Sequence, residues 1–195
     1  MVSRLEVIAW PVRTERLSLR PAVESDLDAT WRIRRTEDVS RWLTSAPTNR
    51  EDYRAAFEDP ERLARTIVVE LDGVVIGDLM LRIEDAWSQS EVAAQAQDVQ
   101  AELGWCLDPR HGGCGYATEA VEALIRLCFQ DLALRRVTAN CFADNESSRR
   151  LMERLGMRRE AHALRDSLHR SGAWLDGMSY ALLADEWRDR RPSGG

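Results

Sequence analysis

The sequence predicts an α+β fold, a mixed α/β chain built on a central sheet. Three observations predict it. Two runs of strand character, 64–71 and 74–83, are joined by Asp72-Gly73, a strong hairpin signal. A glycine-rich stretch, Arg110-His111-Gly112-Gly113-Cys114-Gly115, separates a strand-like run from a helix-like one. The element order reads β-α-α-β-β-β-α-β-α-β-β. Hairpins on one side and a β-α-β crossover on the other require antiparallel and parallel neighbours in one sheet, with helices on both faces.

Taken in order, Glu15-Arg-Leu-Ser-Leu-Arg20 alternates polar and apolar, which suits a strand, and Pro21 breaks it. Ser25 is placed to cap a helix carrying Leu27, Trp31 and Ile33. A second helix is expected over 49–57, ended by Pro60. The hairpin follows. Residues 84–98 are polar and rich in alanine and glutamine, a loop with room for a short helical turn. Residues 99–107 return to strand character. Behind the glycine loop, Ala117, Ala120, Val121, Leu124, Ile125 and Cys128 share one helical face. Residues 136–142 form the next strand. Asp144 or Asn145 caps a helix that ends at Gly156, a left-handed cap. Residues 157–164 and 174–183 close the chain as a strand pair.

The 195 residues suffice for one domain, 1–195, with a core of about 13–187 and a polar, frayed tail at 188–195. No apolar stretch approaches the ~20 residues of a membrane span, and the start lacks the apolar run of a signal peptide. A cytoplasmic location with no membrane partner is therefore expected. The net charge of −6 argues against nucleic acid. All 27 basic residues are arginine, which excludes a Walker-A lysine, a Schiff-base lysine and a lysine base. The four cysteines (106, 114, 128, 141) and three histidines (111, 162, 169) lack ligand spacing, so no metal is expected.

A strand, a glycine loop and a helix N-terminus together form a physical solution for phosphate. Glycines let backbone N–H groups approach the ligand, and the helix end adds about half a positive charge. Arg110 adds a formal charge at the loop entrance. A dinucleotide fingerprint would need glycine where Thr118 stands. A turn that merely reverses the chain is the plain alternative.

Arg110-x-x-Gly113-x-Gly115 resembles the cofactor loop of the GCN5-related N-acetyltransferases. Ala101-Glu102-Leu103-Gly104-Trp105 is similar to their fourth strand, and Gly115-Tyr116-Ala117-Thr118-Glu119-Ala120 to the helix behind the loop. The run Asn145-x-x-Ser148-x-Arg150-Leu151-Met152-Glu153-x-Leu155-Gly156-Met157 resembles their second cofactor-side helix. The likeness extends over about 13–187 and is strongest to the branch holding ribosomal-protein N-terminal acetyltransferases. It implies a mostly antiparallel mixed sheet of six to seven strands, splayed between the fourth and fifth. It also implies acetyl-CoA as cosubstrate and a primary amine as acceptor, either a peptide N-terminus or a small amine.

The resemblance also assigns residues. Backbone around Trp105, Cys106 and Leu107 would pair with pantetheine beside a bulge near Gly104. Arg110, His111, Gly112, Gly113, Cys114, Gly115, Tyr116, Ala117 and Thr118 would hold the pyrophosphate. Asn140, Asn145, Ser148 and Arg150 complete the cofactor set. Glu102, in an otherwise apolar strand, is the leading general base; its alternative is a carboxylate bonded at a strand edge. Many relatives place a tyrosine seven residues after the asparagine, as proton donor. Met152 stands there and cannot donate; the resemblance to this branch names Ser148 as the substitute, with water as the other donor and a helix-start serine bonded to its own backbone as the plain alternative. Trp31, Arg35 and Trp42 fall in the segment that walls the acceptor pocket, with simple packing as the alternative for the tryptophans. A non-catalytic acyl-CoA-binding module is the competing function. The closing strands and the 84–98 loop offer surface for a homodimer.

Overall fold

A computed structural model describes residues 4–190. Residues 191–195 of the expected tail lie outside the described residues, whereas Arg188 and Asp189 belong to a closing helix, Ala184–Asp189. Eight strands are present rather than six to seven, in the order β1-β2-β3-β4-β5-β6-β8-β7. The chain divides into two compact units, Met1–Leu81 with Gly104–Ala123, and Arg82–Leu103 with Leu124–Gly195.

The first unit contains β1 (Val12–Arg13), β2 (Leu17–Pro21), α1 (Leu27–Arg34), α2 (Glu37–Ser40), α3 (Arg50–Phe57), α4 (Pro60–Ala64) and β3 (Thr66–Leu71). It also holds most of β4 (Val74–Glu84), the end of β5 (Gln100–Leu107) and the start of α5 (Tyr116–Arg126). β1 through β4 pair antiparallel in succession. The Asp72-Gly73 turn has φ of 50° and 78°, the left-handed pair that such a hairpin needs. Ile67, Val68 and Val69 are all fully buried, as expected of a strand covered on both faces. Ala22, Leu27, Tyr53, Phe57 and Val68 form one core cluster, with Trp31, Leu63 and Val75 against it.

Three local expectations change here. β1 is two residues long, too short to carry an alternation, and it supplies the extra strand. Ser25 is not a cap: it lies inside a 3-10 turn, Glu24–Asp26, while the Asp26 carboxylate accepts Val23 N at 2.9 Å and pairs with Arg20. Pro60 starts a helix instead of ending one, because Asp59 caps α4 by accepting Arg62 N at 2.9 Å.

The second unit contains the start of β5, then β6 (Arg136–Phe142), α6 (Glu146–Arg154), β7 (Arg158–Leu168), β8 (Trp174–Leu183) and α7 (Ala184–Asp189). β8 pairs antiparallel with both β6 and β7. β5 and β6 run parallel, with register at Gln100↔Arg136, Ala101↔Val137 and Glu102↔Thr138. Both strands continue past the last paired residues, Glu102 and Thr138. The loop 84–98 holds a 3-10 turn, Ser90–Gln95.

Candidate functional site

In the first unit the end of β5 lies hard against β4. A Cβ at Gly77 would sit 2.5 Å from Cys106 O and 2.8 Å from Leu107 Cγ, so only glycine lets β4 pass. A Cβ on Gly104 would meet only Met80 Cβ and Cε at 3.5 Å, ordinary contact. Cys106 is buried, and burial first, then the nearby Asp78 charge, pushes its thiol up to about 12. It is a packing group, not a nucleophile. Trp105 and Leu107 are half-buried beside it.

The chain then enters a 3-10 turn, Pro109–His111, capped by Asp108, whose carboxylate accepts Arg110 N at 3.0 Å. Arg110 was expected to offer its charge to a ligand. Its guanidinium folds back on Asp108, with Nε 3.0 Å from each carboxylate oxygen, and it holds that carboxyl below the usual range. His111 is half-buried and its ring meets Tyr116 edge-on at 6.5 Å. Gly113 and Gly115 have φ of 76° and 80°, a left-handed backbone that turns successive amides to one side. Gly112 to Gly115, including Cys114, are exposed, and Tyr116, Ala117 and Thr118 are half-buried. Among the described residues, the N–H groups of Gly113, Cys114, Gly115 and Tyr116 have no acceptor. They precede and open α5, eleven residues long, so helix dipole and free donors coincide.

Glu119, in the first turn of this helix, is held by several partners. Its carboxylate accepts Thr14 Oγ1 at 2.5 Å, Arg16 N at 2.8 Å and Arg16 Nε at 2.7 Å. Partial burial raises its pKa, but those bonds more than offset this and hold it below the ordinary value. Arg16 lies more than 100 residues away in sequence, at the start of an unremarkable strand, and no local signal announces it.

In the second unit, Glu102 and Asn140 are brought together: Asn140 Nδ2 donates to Glu102 Oε1 at 3.0 Å. Ser179 Oγ donates to Asn140 Oδ1 at 2.7 Å. The other Glu102 oxygen pairs with Arg82, which also holds Glu84. Arg82 was not anticipated: it is an exposed position near the end of β4, and its partner Glu102 is 20 residues away. On α6, Asn145 is the cap, its Oδ1 accepting Ser148 N at 3.2 Å. Ser148 is half-buried at the third helical position, and Met152 is fully buried. Arg150 points to the exposed helix face and pairs with Glu146 at 2.7 Å.

The acceptor-side candidates divide. Trp31 stacks on Tyr53 at 5.2 Å and packs against the core cluster. Arg35 is exposed. Trp42 is half-buried, with the Arg41 guanidinium 4.7 Å over its ring. Arg34, unremarked in the sequence, forms a buried bidentate pair with Asp78.

The acetyltransferase (GNAT) domain model matches residues 16–158. The chain is 36% identical over 86 residues to the uncharacterized N-acetyltransferase YnaD of Bacillus subtilis (strain 168), covering 44% of this chain and 50% of that protein. It thus spans half the length of that relative. It is 29% identical over 169 residues to the putative ribosomal N-acetyltransferase YdaF of the same organism, covering 82% of this chain and 85% of that protein. The crystal structure of an acetyltransferase (GNAT family) from Bacillus anthracis superposes with a TM-score of 0.75 at 28% identity, over 90% of this chain and 99% of that one.

Proposed function

The chain belongs to the acetyltransferase (GNAT) family, and on that premise we propose that it moves an acetyl group from acetyl-CoA to a primary amine by direct attack. The acceptor is a protein N-terminus or a small-molecule amine. The carrying observation is the row of unpaired amides at Gly113 to Tyr116 in front of α5, which suits the pyrophosphate. Arg110, already spent on Asp108, contributes less there than its charge suggested.

Acetyl transfer needs a neutral amine and a protonated leaving thiol. An α-amine titrates near ~8 and a free thiol near ~8.5, so modest assistance suffices at each. Glu102 serves as base. A carboxylate has about four acceptor positions, and Arg82 and Asn140 take only part of them. The remainder can receive the amine proton directly or through one water. Ser148 assists the leaving sulfur. Backbone at Trp105 to Leu107 aligns the pantetheine arm, and the Asn145 side chain fixes the start of α6 on which Ser148 sits.

Two observations favour a second reading, a non-catalytic acyl-CoA-binding module. Glu102 is already doubly bonded, and the tyrosine position holds Met152. A single assay separates the two. The protein is incubated with acetyl-CoA and a panel of N-terminal peptides, polyamines and aminoglycosides, and free thiol is followed. Amine-dependent thiol release is expected. Tight CoA binding with no turnover on any amine would favour the binding module. No CoA binding at all would defeat both readings.

A further inference from the structure

The strap between Arg16 and Glu119 touches the glycine loop itself. Arg16 Nη1 donates to Cys114 O at 2.9 Å, and its guanidinium lies 4.5 Å over the Tyr116 ring. A Cβ added to Gly115 would come within 3.5 Å of Arg16 Nη2, so the cation rests against the loop backbone. Glu119 in turn grips Arg16 through Nε, Nη2 and the main-chain N–H, and donates its own N–H to Gly115 O at 3.0 Å.

The geometry fixes one donor. In a trans, planar peptide the carbonyl and the following N–H point in opposite directions. Arg16 anchors the Cys114 carbonyl, so the Gly115 N–H of that same peptide is turned away from Arg16. α5 anchors the next carbonyl, Gly115 O. The loop's last peptides are thus held from both sides while their N–H groups stay unpaired. The arrangement also balances charge. A bare carboxylate in the first turn of α5 would repel an anion at the helix end, and Arg16 neutralises it.

We infer that Arg16 is a positioning residue for the phosphate-binding loop, acting through the Cys114 carbonyl and the Glu119 carboxylate. The inference rests on the proposed role of this loop in holding a pyrophosphate.

The test is the affinity of the full chain for CoA, by calorimetry, beside competition by pantetheine, which lacks the phosphates. Arg16→Gln is expected to raise the CoA dissociation constant about tenfold, the loss of one charge-assisted contact, and to lower the preference for CoA over pantetheine by the same factor. Glu119→Gln is expected to lose less, about threefold, because it removes the repelling charge along with the strap. Arg16→Lys keeps the charge but cannot bridge both partners, and should stay near the glutamine variant. Unchanged CoA affinity in Arg16→Gln, equal loss for CoA and pantetheine, or full recovery by lysine would each overturn the inference. Should Arg16→Gln fail to fold, Glu119→Gln carries the same comparison. Gly113→Asp separates the two levels. If it leaves CoA binding intact, the loop reading itself fails. If it weakens CoA while Arg16→Gln does not, only the strap is wrong.

Discussion

In the loop at 113–116 consecutive backbone amides have no acceptor, whereas at Glu102 both carboxylate oxygens already have donors. The first region leaves its hydrogen bonds unmet, which is tolerable because these residues are largely exposed to water. The second holds a carboxylate on the partly exposed face of a strand, opposite the buried Ala101 and Leu103, and fixes it with two donors, Arg82 and Asn140. On the proposed assignment, the ligand site is left open while the reacting carboxylate is held. The two regions should therefore fail in different ways when altered.

The largest expected effect is at Glu102. Glu102→Gln should lower kcat about a thousandfold, within the usual range for a general base, and keep CoA affinity. An equal loss of affinity would place Glu102 on the binding side and break the comparison. Gly113→Asp should do the reverse, with a dissociation constant for CoA about a hundredfold higher. Space is not the obstacle, since nothing lies within 4 Å of the added Cβ. The cost comes from a side chain at φ of 76° and a negative charge beside the phosphates. Smaller again is Asn140→Ala, expected to lower kcat about tenfold by freeing Glu102 Oε1 while Arg82 keeps the other oxygen. A fall in CoA affinity with kcat unchanged would instead place Asn140 on the binding side.

The difference between the regions also explains what could be read in advance. The loop was legible because left-handed turns demand glycine and helices need starting signals, so Gly113, Gly115 and the apolar face of α5 are all local. The hairpin at Asp72-Gly73 and the cap at Asn145 are local in the same sense. Arg82, Arg16 and Gly77 were not legible. Each matters only through a partner brought close by the sheet: Glu102 is 20 residues from Arg82, and Glu119 is 103 from Arg16. Periodicity ranks such arginines as ordinary polar positions on strands. Gly104 drew attention as the in-strand glycine next to the motif, yet the backbone contact that excludes a side chain lies across the strand pair at Gly77. The expected six to seven strands became eight because Val12–Arg13 is too short to show a pattern.

The smallest expected effect tests whether the second unit depends on its carboxylates more broadly than at Glu102. Glu160 on β7 bonds Arg136 of β6 at 3.0 Å and Arg158 at 2.8 Å, reaching across β8 between them. Arg136 foremost, against a smaller opposing effect of burial, and then Arg158 lower its carboxyl from 4.5 to about 2. A carboxylate whose folded pKa is depressed stabilises the fold fully above its unfolded pKa. That contribution is lost as pH falls from 4.5 towards about 2. With the side chain 29% exposed, solvent screening reduces it to about 1 kcal/mol. Urea unfolding at neutral pH should therefore find Glu160→Gln less stable than the parent chain by about that amount. Near pH 2 to 3 the gap should narrow, because the parent carboxyl is by then taking up its proton. A gap of the same size at both pH values would mean that Glu160 acts through packing rather than charge. The carboxylates of the second unit would then not share the dependence on arginine that sets Glu102 apart from the open loop.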